Sequence, residues 1–101
     1  MRPNEEIAPE QRDRLAKMMS HAMEQVCGAY SSICDGKLPD GVNVTDAIIQ
    51  MQPTWYRELK KIEDGLNSYD QTDDAYQKLC SRWVKAWTTI FEYVTKQYTN
   101  R

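Results

Sequence analysis

Residues 75–98 read AYQKLCSRWVKAWTTIFEYVTKQY. Tyr76, Leu79, Cys80, Trp83, Trp87, Ile90, Phe91, Val94 and Tyr98 recur there at steps of three and four, which gathers them on one face of an α-helix. So aromatic a face requires burial against other apolar surface. The turn before it, Asn67–Thr72, offers Asp70 or Thr72 as a cap, and Asp73 and Asp74 place negative charge at the positive end of the helix dipole. Lys96 and Arg101 complement the other end.

Two further helical segments precede this one. Helix 1 is expected from near Pro9, a residue suited to the first helical position, to near Cys34, where Asp35-Gly36 stops it and Pro39 prevents resumption. Its core stripe is Leu15, Met18, Met19, Ala22, Val26, Ala29, Tyr30 and Ile33. The second segment runs from near Thr45 toward Asn67, with Val44, Ile48, Met51, Trp55, Leu59, Ile62, Leu66 and Tyr69 in helical register. Pro53 interrupts it, predicting either a kink or a split into a short helix over 45–51 and a longer one starting at Pro53. Because the apolar register continues across Pro53, both pieces are expected against one core. No segment shows the period-two alternation of a strand.

The fold class is therefore all-α: a small antiparallel three-helix bundle, its second helix kinked or split near Pro53, completed by self-association. A chain of 101 residues corresponds to one domain, 1–101, with residues 1–8 as a flexible N-terminus. Hydrophobic residues at 41% suit a globular chain rather than a disordered one. A net charge of −2 argues against both a strongly cationic nucleic-acid binder and an acidic DNA mimic. With neither a signal-type apolar run nor a membrane span, the expected location is the cytoplasm, of the host cell if the gene is carried by a phage or plasmid.

No residue set points to catalysis, a cofactor or a metal. Cys27, Cys34, Cys80 and the lone His21 lack the short spacings that bring zinc ligands together. Cys27 and Cys34, if on one helix, are roughly 10.5 Å apart along its axis, too far for a disulfide. The thiols read as buried structural residues in a reducing compartment, and His21 as a surface residue. The acidic pairs Glu5/Glu6 and Asp73/Asp74 are explained by helix starts. The tryptophans Trp55, Trp83 and Trp87 fall in the core stripes, so packing explains them better than base stacking.

Function is thus sought beside the core. Met23, Cys27 and Cys34 flank the stripe of helix 1, Ile49 and Tyr56 that of helix 2, and Val84 that of helix 3. They either line the core edges or form an apolar patch, and Met23, Cys27, Ile49, Tyr56 and Val84 are the expected contacts to a protein partner. The leading reading is a non-enzymatic interaction module: a homo-oligomer, adaptor, regulator or inhibitor that occupies a partner surface. Lys78, Arg82, Lys85 and Lys96 make a basic strip on the last helix, which supports anion or nucleic-acid binding as an alternative. A third reading is sequestration of a small ligand at an oligomer interface.

Overall fold

A computed structural model of the chain describes residues 8–99. It contains four α-helices, α1 (Pro9–Ile33), α2 (Val44–Met51), α3 (Pro53–Leu66) and α4 (Asp73–Thr99), and no strand among the described residues. Glu5, Glu6, Arg101 and all but the last residue of the expected flexible segment lie outside the described residues.

The expected second helix is split rather than kinked, giving four helices in place of three. Gln52 leaves the helical region with φ −141° and ψ 70°, while its N–H still reaches Ile48 O at 2.8 Å. Pro53, which has no N–H to lose, opens α3 at its first turn, and Gln52 O accepts from Trp55 N at 3.0 Å. The break thus occupies one residue. Val44, Ala47 and Ile48 of α2 and Leu59, Ile62 and Leu66 of α3 still enter a single core, as the continuous apolar register predicts.

Short polar residues set the other boundaries. Asn43 Oδ1 accepts from Asp46 N at 3.2 Å to cap α2, and Thr72 Oγ1 accepts from Ala75 N at 3.2 Å to cap α4. Asp70, the other expected cap, instead accepts from the Ser68 hydroxyl. Between α1 and α2 the chain turns at Gly36 and Gly41, whose φ values of 74° and 83° are the left-handed conformation that a Cβ disfavours.

α4 packs against all three other helices, whereas α1 packs along α4 and makes at most a marginal approach to α2 or α3. Gln11 Nε2 donates to Gln71 O, and Arg14 Nε lies 3.0 Å from Asp73 Oδ2. At the other end Cys34 Sγ is 3.2 Å from Thr95 Oγ1. α1 therefore runs parallel to α4. α3 runs antiparallel to it: the Tyr76 hydroxyl donates to Leu66 O at 2.7 Å, Trp83 Nε1 to Glu63 Oε2 at 3.0 Å, and Trp55 meets Tyr93 edge-on at 5.2 Å. α2 crosses the C-terminal half of α4, where Gln52 Nε2 donates to Tyr93 Oη at 3.3 Å.

Burial follows the contacts. α4 buries Tyr76, Cys80, Trp83, Ile90, Phe91, Val94 and Thr95, but α1, nearly as long, buries only Leu15 and Ala22. Two expectations on α1 are corrected. Cys34, read as a flank residue, is 1% exposed, because α1 ends at Ile33 and its αR cap turns the thiol inward against Thr95 and Phe91 O. Tyr30, read as core, is 42% exposed and meets Phe91 only edge-on, at 5.4 Å.

Burial pushes the Tyr76 phenol up to about 12 from 10.0, with smaller contributions from Tyr69 and Cys80. A raised acid pKa contributes stability that is fully present below pH 10 and lost as the pH rises from there through about 12. Chemical denaturation is expected to show that decline in the native chain and a smaller one in Tyr76→Phe. Gly28 lies mid-α1 with nothing within 4 Å of a built Cβ. Gly28→Ala should therefore stabilise the fold by about 0.5–1 kcal/mol, read as a higher urea midpoint.

Candidate functional site

The five expected partner contacts are divided among the four helices. Met23 and Cys27 occupy successive turns of one α1 face, Ile49 is on α2, Tyr56 on α3 and Val84 on α4. Met23 is 50% and Ile49 40% exposed, and Cys27 is exposed. Tyr56 and Val84 are partly buried against the core. Tyr56 also lies under the Lys60 ammonium, 5.8 Å from its ring centroid. The continuous apolar surface is therefore on α1, where Met23, Cys27 and Tyr30 follow at steps of four and three with half-buried Met19 and Val26 beside them. Spacing alone places Tyr30 in the core; it is exposed because it stands on the side of α1 that α4 does not cover.

An open cleft of about 500 Å³ lies where α1 ends. Tyr30, Trp87 and Phe91 form its aromatic side, and Val42, Asn43, Val44 and Thr45 at the start of α2 form the other. Trp87 Nε1 is buried with no hydrogen-bond partner among the described residues, and an unsatisfied buried donor costs about 1–3 kcal/mol. Among the described residues the cleft has no Lys or Arg in its lining. Among the described residues this aromatic cleft and the four cations of α4 thus lie on different surfaces.

The tryptophans differ in role. Trp83 is buried and bonded to Glu63, whereas Trp55 and Trp87 are only partly buried. Glu63 is shared, its second oxygen accepting from Lys60 Nζ at 3.2 Å; that bond, then the Coulomb attraction behind it, raises the Lys60 pKa. Lys78, Arg82, Lys85 and Lys96 are all exposed. The ion pairs of the described residues are Arg14–Asp73, Lys60–Glu63 and Lys61–Glu58, so none of these four cations is in one.

His21 is exposed, and no three His, Cys, Asp or Glu side chains group as a metal site among the described residues. Nor is any helix there long and apolar enough to cross a membrane. Comparison with protein-family models, curated proteins and solved structures finds no match to this chain.

All three thiols are free, but they are not equivalent. Cys34 and Cys80 are buried, as expected of structural thiols, and desolvation raises the Cys80 pKa; Cys27, expected to be buried with them, is instead exposed, because it stands on the side of α1 turned away from α4. A thiol reagent applied to the native chain is expected to modify Cys27 rapidly and the other two only on unfolding. Equal reaction at all three would contradict the packing of Cys34 against Thr95.

Proposed function

We propose that this chain is a non-enzymatic helical interaction module that works by covering the surface of a protein partner, with a second copy of itself as one such partner. The observation that supports it is the one-sided packing of α1. This helix packs along α4, with at most a marginal approach to α2 or α3, while presenting Met23, Cys27 and Tyr30 to solvent. Contiguous apolar side chains on a helix face are the usual footprint of helix docking. Ile49, Tyr56 and Val84 are secondary contacts, since the latter two are already half-covered. The cytoplasm is the proposed location, a reducing compartment in which three free thiols persist.

The test is Met23→Glu, which places a charge in the stripe at a position half open to solvent. Light scattering of the native chain at rising concentration is expected to show self-association that the variant lacks, with unchanged helicity by circular dichroism. Affinity capture from the native cell should yield proteins retained by the native chain and lost by Met23→Glu. A strictly monomeric native chain whose captured proteins are identical to those of the variant would remove α1 as the interface.

A further inference from the structure

On α4, Lys78, Arg82, Lys85, Thr89, Glu92 and Lys96 succeed one another at steps of three or four. They form one exposed row about 27 Å long. Glu92 is the one acid inside it, with Asp74 a turn before Lys78. The four cations lack ion-pair partners among the described residues, so their charge is not cancelled within the fold.

Immediately beside this row, at the seam with α3, lies a depression of about 190 Å³. Trp55 and Ile62 of α3 and Ala86, Thr89 and Ile90 of α4 line it. Thr89 belongs to both features, so the apolar slot and the basic row are continuous. Small-molecule sites usually run from about 300 to 1,000 Å³, so this slot suits one large apolar side chain. Glu58 stands at its rim but is 3.3 Å from Lys61 Nζ, which offsets its charge.

We propose that this face docks an acidic segment of a partner protein. One large apolar side chain enters the slot, and carboxylates about 10 Å to either side meet Arg82 and Lys85 in one direction and Lys96 in the other. Charge complementarity identifies the segment as acidic, and the slot favours an apolar side chain over duplex nucleic acid, whose phosphate backbone offers nothing apolar to fill it; a single strand, whose bases could stack on Trp55, is the competitor the test includes. The face is separate from the Met23–Cys27–Tyr30 stripe and stands whether or not that stripe binds.

The experiment selects random displayed peptides on the immobilised full chain. Enriched peptides are then titrated by fluorescence anisotropy beside a labelled single-stranded oligonucleotide. Enrichment of Asp and Glu around a Leu, Met, Phe or Trp is expected. Arg82→Glu with Lys85→Glu, and separately Thr89→Trp, should each weaken binding about tenfold or more at unchanged helicity, while Gln25→Ala, exposed on α1 and outside both surfaces, leaves it unaltered. Thr89 is exposed, so its variant blocks the slot without disturbing the core; Ala86→Trp is a second, deeper block. No enrichment over bare support, peptides without acids, or affinity indifferent to the charge reversals would overturn the proposal. So would oligonucleotide binding tighter than any peptide and insensitive to Thr89→Trp.

Discussion

Burial of one face of α4 is the constraint on which the other elements depend. Tyr76, Trp83, Ile90, Phe91 and Val94 cannot face water, and each remaining helix covers a different part of that face. α3 closes one side, α2 the C-terminal half and α1 the other side. Because α1 and the α2–α3 arm meet α4 rather than each other, the architecture is a spine with two flanks. Tyr76 ties the spine to α3 through its bond to Leu66 O, and Arg14–Asp73 ties it to α1. The latter pair is exposed and worth at most about 1 kcal/mol, so α1 is held mainly by the packing of Leu15, Ala22 and their half-buried neighbours.

The helical class and the extent of each segment were legible because apolar spacing and cap residues are local signals. Pro53 marked the discontinuity, and the register across it showed that both pieces face one core. Whether the segment bends or breaks depended on the single dihedral pair at Gln52, which no spacing encodes. Tyr30 and Cys34 exchanged roles for a related reason. A helical wheel assumes that every residue of a stripe is covered alike, whereas Tyr30 stands on the side of α1 that α4 leaves open and Cys34 lies past the last helical turn.

The candidate surfaces were legible in unequal measure. The exposure of Met23, Cys27 and the basic residues follows from position on a wheel, so sequence spacing was enough to mark them. The slot beside Thr89 was not visible there, because half of its wall comes from Trp55 and Ile62 on another helix. Nor could spacing show that the aromatic cleft and the cations lie on separate surfaces.

The attachment of α1 also bears on what each helix pairing costs the chain to close. The bonds of α3 to α4 close short loops, with Leu66–Tyr76 separated by 10 residues and Glu63–Trp83 by 20. Those of α1 to α4 span about three times the longer of these, 59 between Arg14 and Asp73 and 61 between Cys34 and Thr95. Tripling a loop adds about 1 kcal/mol of closure entropy. The α3–α4 hairpin thus closes at a lower entropy cost than the α1–α4 pairing, which has to recover the difference through the most extensive helix–helix contact of the fold.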